Sequence, residues 1–563
     1  MPLTPRTLVE ALERLPDGDE RGFRFYGADR QERYFPYEVM RRAAEARGAV
    51  LASQGLEKGD RVALVCPENH EFVLSFLGAV VGGFVPVPIY PAASFKAADA
   101  YVDTLEHILR VSGAKVLVCM ERNRDIIRAL TARPAMADVR VLVAPDDFDG
   151  VPPAYARPTV GPDDLCFLQF TSGSTSQPKG VMVTQANLVA NATSFLGPAG
   201  LRRTPEDVGV SWLPLFHDMG LIGFVLGTLI VDLPVVLLPT SSFARAPRLW
   251  LETVTKHRGT ITYAPNFAYQ LVTRRVKDRD LERLDLSTLR VAGCGAEPIR
   301  AKTLLRFAER FAPAGFRAEA LLPSYGMAES CLAITFHPRE TPIVVDRVDP
   351  VAMRDGRAEP AAGDVEAQEV VSCGVPFPEH GLRIVDEHGT DVPDRHVGEA
   401  WIQGPSVTAG YFDNPDATAE AFVDGWFRTG DLAYRADGNV YVCGRVKDLI
   451  ILNGANHYPQ DFEWRVGELE GVRRGNVCAF SVLVDGEEQL VVIAEANRAD
   501  APRLRAEIPR ALFESFGVTV SDVLISPVGT LPKTSSGKHQ RRRTKRLYEA
   551  RDLPHHRAAA EAL

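Results

Sequence analysis

Short apolar runs recur through the first three hundred residues, and stretches with helical spacing separate most of them. Residues 61–66, 116–119, 141–144, 165–170, 235–238, 260–263 and 289–292 each have the length and apolar content of a buried strand. Val39, Met40, Ala43, Ala46 and Val50 fall at helical spacing. This alternation predicts an α/β fold with largely parallel sheets. Near Gly444 the texture changes to short strand-like runs between turn residues, such as 439–442 and 491–494, followed by a basic stretch over 533–551. At 563 residues the chain is too long for one compact core. The expected division is a large amino-terminal domain over 1–443, a hinge at 444–448 and a small carboxy-terminal domain over 449–563.

Charge and cysteine usage narrow the function classes. The chain carries 73 acidic against 64 basic side chains, a net charge of −9, which argues against nucleic acid as the main partner. The 8 cysteines include no C-x-x-C pair and no metal-ligand spacing, so they read as thiols of a reducing compartment. The start has no basic segment followed by an apolar run, as a secretory signal would. The most apolar stretch, 76–90, is broken by Gly82, Gly83, Pro86 and Pro88, too short and too punctuated to cross a bilayer. A cytoplasmic protein without stable membrane insertion is expected.

The sharpest local signal is Thr171-Ser172-Gly173-Ser174-Thr175-Ser176-Gln177-Pro178-Lys179-Gly180, between strand-like runs at 165–170 and 181–183. Glycine lets a backbone approach a phosphate closely, and hydroxyls and amides donate to its oxygens. Lys179 adds a point charge suited to a polyphosphate. Taken alone, the loop also reads as a polar surface turn. The G-x-x-x-x-G-K-[ST] order is absent, which argues against a P-loop NTPase.

Farther along stand Gly295-Ala296-Glu297, Ser324-Tyr325-Gly326-Met327-Ala328-Glu329, Arg428-Thr429-Gly430-Asp431, Gly444-Arg445 and Pro532-Lys533-Thr534-Ser535-Ser536-Gly537-Lys538. Together with the loop, and in this order, they resemble the core motifs of the adenylate-forming superfamily. That superfamily comprises acyl-CoA synthetases, luciferases and nonribosomal peptide adenylation domains, and the resemblance spans nearly the whole chain. It implies stacked α/β subdomains with a small mobile α+β carboxy-terminal domain, and ATP with Mg2+ as cofactors. Thr171, Ser172, Gly173, Ser174, Thr175 and Lys179 would hold the phosphates. Gly295, Ala296 and Glu297 would line the adenine pocket with Ser324, Gly326 and Met327, and Tyr325 would stack on the ring. Asp431 would accept from the ribose hydroxyls and Arg445 would contact the same sugar. Glu329 is the implied magnesium ligand. Lys538 is implied to bridge the substrate carboxylate and the α-phosphate, where two anions meet and charge spreads over phosphoryl oxygens.

Three stretches resemble fatty acyl-AMP ligases more than acyl-CoA synthetases. Residues 211–223 place His217 at the substrate and thiol entry as a gate, a catalytic candidate beside Lys538. Residues 264–271 border the implied acyl pocket, with Asn266, Phe267, Leu221 and Ile222 as its candidates. Residues 444–463 contain the hinge pair Lys447 and Asp448 and the Tyr-Pro-Gln-Asp run at 458–461. From Tyr325 to Gly374 the chain takes about fifty residues, long for one connection, and the excess falls within 336–372. In the ligases an insertion here packs between the domains and hinders the rotation that CoA chemistry requires. Ser176-Gln177, where synthetases have Thr/Ser-Gly, leans weakly the same way.

The resemblance therefore implies a fatty acid as substrate, fatty acyl-AMP as product, and transfer to a separate acyl carrier protein or a carrier domain of polyketide or peptide assembly. The basic run 538–546 would face that acidic partner rather than nucleic acid. A fatty acyl-CoA synthetase is the alternative. An inactive lipid- or nucleotide-binding scaffold is a third reading, against which Lys538, Glu329 and Asp431 count together.

Overall fold

The computed structural model describes residues 4–91, 98–152, 154–171, 178–363, 367–452, 454–484, 487–534 and 538–556. Its architecture is α/β, with a large amino-terminal domain and a small carboxy-terminal one. A 9-stranded sheet dominates, ordered Val375–Pro376, Ala333–Phe336, Leu321–Gly326, Val291–Cys294, Ile261–Ala264, Gly209–Ser211, Val235–Leu237, Gly22–Tyr26 and Glu32–Pro36. From Leu321–Gly326 to Gly22–Tyr26 all its pairings are parallel, and the strands beyond them pair antiparallel. A second sheet of 4 strands, Val85–Pro88, Arg61–Val65, Val116–Met120 and Arg140–Ala144, is parallel throughout. Six of the seven apolar runs read as strands thus fall in parallel sheet as expected, near residues 61, 116, 141, 235, 261 and 291. Leu165–Thr171 differs: it pairs antiparallel with Lys179–Thr184, because the chain between them is too short for the crossover that a parallel partner would need.

Local chemistry marks the element ends. The helix Gln185–Leu196 opens on a capping box, in which Asn187 N–H donates to Thr184 Oγ1 and Thr184 N–H donates to Asn187 Oδ1. The helix Ala501–Phe516 stops at Gly517, whose φ of 68° an L side chain would resist. The helical spacing at 39–50 falls within the helix Tyr37–Ser53.

Residues beyond 449 carry their own hydrophobic cluster, including Ile450, Phe462, Leu504, Ile508 and Ile525. It lies over the 3-stranded sheet Val472–Val484, Glu487–Ala496 and Val520–Ser526. All eight cysteines are buried and unpaired. Among the described residues, no helix is long and apolar enough to cross a membrane.

The 336–372 excess is built structure. Val345–Val348 pairs antiparallel with Gln368–Val371, and the short helix Pro350–Arg354 sits between them, its first amides capped by Asp349. Val348, Met353, Ala358 and Val370 share a cluster with Tyr434, Tyr441 and Tyr458. The segment also reaches the carboxy-terminal domain: Gln368 Nε2 donates to Asp461 Oδ2 at 2.9 Å, and Arg354 Nη2 donates to the Phe516 carbonyl at 2.8 Å. Burial, reinforced by the charge of Glu463 and opposed by Arg300, pushes the Asp461 carboxyl up to about 7. An acid whose pKa rises on folding binds more protons in the native state between its two pKa values, so stability falls as pH rises through that window. The stability of the native protein is therefore expected to decline from about pH 4, the ordinary aspartate value, to about 7. Asp461→Asn should flatten that decline in urea midpoints measured across the range; an unchanged slope would show that Asp461 does not set it.

Candidate active site

A cleft of about 2530 Å3 is walled by both domains. Thr171, Lys179, His217, Asn266, Phe267, Gly295, Ala296, Glu297, Ser324, Tyr325, Gly326, Met327, Glu329, Asp431, Arg445, Lys447, Asp448 and Lys538 all line it. Ser172, Gly173, Ser174 and Thr175 lie outside the described residues. Their flanks are placed: Thr171 and Lys179 are register partners on antiparallel strands. Lys179 Nζ stands 4.8 Å from the Tyr411 ring centroid, a cation held against an aromatic face.

Asp431 and Arg445 are register partners on the antiparallel strands Trp426–Ala436 and Asn439–Arg445. That pairing puts Arg445 Nε 3.0 Å from Asp431 Oδ1, while the Tyr325 hydroxyl donates to Oδ2 at 2.7 Å. Asp431 is 5% exposed, so this carboxylate is oriented before any ligand arrives. Burial, then the charge of Asp431, drives the Tyr325 phenol well above its ordinary value and keeps it a donor. Tyr325 thus positions the carboxylate as well as offering a ring to the cleft. Tyr325→Phe should raise KM for ATP by roughly tenfold, the worth of about one hydrogen bond to a charged group. An unchanged KM in steady-state kinetics would remove the positioning role.

Glu297 has a second task besides lining the cleft. Its Oε1 accepts the Phe267 N–H at 2.6 Å, pinning the first turn of the helix Asn266–Arg275. Burial raises the Glu297 carboxyl, and that backbone donor opposes the rise. The Asn266 side chain accepts the Arg300 N–H at 3.2 Å. Glu329 Oε1 accepts the Tyr411 hydroxyl at 2.9 Å; burial pushes this carboxyl up and Tyr411 holds it down. Among the described residues no group of three or more His, Cys, Asp or Glu side chains could hold a metal unaided. One hard carboxylate is nonetheless the donor set Mg2+ uses when phosphate oxygens and water complete its shell, so Glu329 fits.

Beside the cleft is an apolar pocket of about 260 Å3, lined by Trp212, Leu213, Pro214, His217, Met219, Thr240, Phe243, Ala244, Pro265, Phe267, Leu271, Ala296 and Lys538. The Trp212 and Phe243 rings stack against each other at 3.6 Å. Phe267 lines both spaces, whereas Asn266 lines the cleft only. Leu221 and Ile222 are corrected: both are 0% exposed within the main core and neither lines the pocket. The helix Asp218–Leu221 continues into a wider turn over Ile222–Leu226, and that winding shows Met219 and Gly223 to the cleft instead.

Lys538 borders both spaces, and its backbone N–H donates to Thr534 Oγ1 at 3.1 Å. Burial lowers the Lys538 ammonium, opposed chiefly by Asp218. Against burial, His217 and Lys538 hold the Asp218 carboxyl below its usual range. His217 Nδ1 pairs with Asp218. Asp218 follows His217 directly in sequence, and the fold places it between His217 and Lys538. Trp212 and Leu271 fall in the motif stretches 211–223 and 264–271, but Phe243 carried no sequence signal.

The basic run 538–546 is corrected in part. Arg541 Nη1 bonds Asp448 Oδ2 at 2.7 Å and its Nη2 bonds Glu463 Oε1 at 2.8 Å, so this residue ties the turn Val446–Asp448 to the helix Pro459–Val466 rather than meeting a partner.

Comparison with known proteins agrees with this geometry. Residues 20–412 match the AMP-binding enzyme family, and residues 447–558 match the AMP domain described as Disco-interacting protein 2-like. A Caulobacter vibrioides protein provisionally named an acyl-CoA synthetase is 38% identical, covering 97% of this chain and 95% of its own. The long-chain-fatty-acid–AMP ligase FadD26 of Mycobacterium marinum is 35% identical, covering 96% of this chain and 97% of its own. A solved structure from a study of fatty acyl-adenylate ligases of E. coli and L. pneumophila superposes with a TM-score of 0.91 at 36% identity, covering 97% of this chain and 98% of that one. This chain belongs to the AMP-binding enzyme family, in its fatty acyl-AMP ligase branch.

Proposed function

We propose that the protein activates a medium- or long-chain fatty acid with ATP, forming fatty acyl-AMP and pyrophosphate, and then passes the acyl group to the phosphopantetheine thiol of a separate acyl carrier protein. The observation that carries this reading is the position of Lys538, which borders the polar cleft and the apolar pocket at once. An alkyl chain in the pocket gains about 0.8 kcal/mol per buried methylene. Its carboxylate then emerges beside Lys538, where it must meet the α-phosphate. The ammonium offsets the repulsion of two anions and stabilises the charge that spreads over the phosphoryl oxygens. Asp431, held by Tyr325 and Arg445, would fix the ribose and thereby the line of attack. Mg2+ held at Glu329 would neutralise the departing pyrophosphate. His217 stands at the junction of the two spaces, suited to gating entry of the thiol.

The carrier protein is preferred over CoA because of the 336–372 segment. Rotation about a hinge at 444–448 would have to break Gln368–Asp461 and Arg354–Phe516 and expose the cluster around Tyr458. Eight buried, unpaired thiols fit the cytoplasm, where ATP is also at hand. The test is incubation with ATP, Mg2+ and a fatty-acid ladder, with CoA or a holo carrier protein as acceptor, read by mass spectrometry. Acyl-AMP with transfer to the carrier supports the proposal, an acyl-CoA thioester would make the protein a synthetase, and no acyl-AMP at any chain length would leave a scaffold.

A further inference from the structure

Two helix and strand ends bring arginines to one part of the cleft wall. Arg274 and Arg275 end the helix Asn266–Arg275 of the amino-terminal domain, and Arg473 and Arg474 open the strand Val472–Val484 of the carboxy-terminal domain. All four are exposed and line the cleft. Arg473 has a resident partner in Glu495 at 3.1 Å, and nearby Arg300 and Lys302 share Glu468 at 2.7 and 3.1 Å. Arg274, Arg275 and Arg474 have no ion pair or side-chain hydrogen bond among the described residues. Partial burial and then the charges of Arg275, Arg474 and Arg473 all disfavour the Arg274 cation. Like charges gathered from two domains without an acid between them are a site waiting for an anion.

The placement says which anion. Phe267 of the same helix lines the apolar pocket, and Arg275 lies eight residues on, about 12 Å along the helix axis. The arginine turn is also fastened to the loop of Lys538: the Gly475 carbonyl accepts from Lys533 Nζ at 2.9 Å and lies 3.0 Å from His539 Nε2. An anion held here therefore stands at a fixed remove from the reacting groups, on the wall of the passage leading to them. The ATP polyphosphate is assigned to Lys179 and to Mg2+ at Glu329, so this is a second anion position. We propose that Arg274, Arg275 and Arg474 grip the phosphodiester of a phosphopantetheine arm and the acidic surface of the carrier protein that bears it. The inference rests on the function proposed above. In the transfer, the arm's sulfur bonds to the acyl carbonyl carbon, the bond from that carbon to the AMP phosphate oxygen breaks, AMP leaves with the electron pair, and the thiol proton goes to water.

The test compares the native protein with Arg274→Ala/Arg474→Ala on three thiols: pantetheine, 4′-phosphopantetheine and an acidic holo acyl carrier protein. Acyl-AMP formation is measured first by pyrophosphate release. Its absence in the native protein overturns the function proposed above and, with it, this assignment. Equal release in both proteins shows that the variant folds and adenylates. The native protein should then prefer 4′-phosphopantetheine over pantetheine by at least tenfold in kcat/KM. The variant should lose that preference and should raise KM for the carrier by tenfold or more, with pantetheine transfer unchanged. No preference in the native protein, a preference that survives the substitutions, or no transfer to any thiol despite acyl-AMP formation overturns the proposal. Free CoA serving as well as the carrier, with the same loss in the variant, overturns the carrier as the occupant. A variant that loses pyrophosphate release is replaced by Arg274→Gln/Arg474→Gln, which keeps a polar hydrogen-bonding side chain at each position and removes the charge.

Discussion

Replacing Lys538 by alanine is expected to lower acyl-adenylate formation by about 10²–10³-fold while ATP still binds, because one preorganised donor at a developing anionic charge carries an effect of that size. Among the described residues, Lys538 is the one lysine or arginine that borders both the polar cleft and the apolar pocket. The surrounding Asp218, Glu297 and Asp431 favour its ammonium against the burial that opposes it. The ATP contacts proposed for Asp431, Arg445, Glu329 and Lys179 do not involve it, so the nucleotide Kd measured by calorimetry should change little. Pyrophosphate exchange with a fatty acid reports the chemical step. Exchange at the native rate would remove Lys538 from catalysis, and lost ATP binding would make it a nucleotide anchor instead.

The parts of this site that sequence could reach are those where function constrains consecutive residues. Strand ends and turns near phosphate, base and ribose need glycine, hydroxyl and carboxylate in fixed local order, so Asp431 and Arg445 are legible before their strands are paired. Their partnership is not, since it depends on the register that sets Asp431 opposite Arg445. Parallel strands were recognisable from apolar runs, yet the same kind of run at 165–170 became half of an antiparallel pair, because composition does not report a strand's neighbour. Leu221 and Ile222 were placed on the acyl pocket from their motif, but one residue of winding along a helix turns a side chain by about 100°. That rotation sends Leu221 and Ile222 into the core and Met219 to the cavity. Phe243 is invisible for the opposite reason: it enters the pocket from the helix Thr240–Arg245, far in sequence from every motif, and only packing against Trp212 gives it a role.

The basic run shows the same limit for charge, and Arg541 supplies the second large expected effect. Removing Arg541, as in Arg541→Met, is expected to destabilise the carboxy-terminal domain by about 3 kcal/mol, the cost of stripping one partner from a largely buried ion network. Its guanidinium spans Asp448 of the turn Val446–Asp448, Glu463 of the following helix and the Ala479 carbonyl at 3.0 Å. Without it, two carboxylates stay near each other and Glu463, whose carboxyl burial already pushes up, loses its counter-charge. Chain entropy makes the effect larger than local, since the bonds join residues 93 and 78 positions apart. Hydrogen exchange over 449–556 should therefore accelerate while the parallel sheets of the amino-terminal domain keep their protection. The double change Arg541→Met/Glu463→Met should recover part of the loss by removing the orphaned charge as well. Native protection in the single variant would mean that the three groups are solvated in solution, and the run 538–546 would then be free, as its sequence alone had implied, to meet an acidic partner with all its cations.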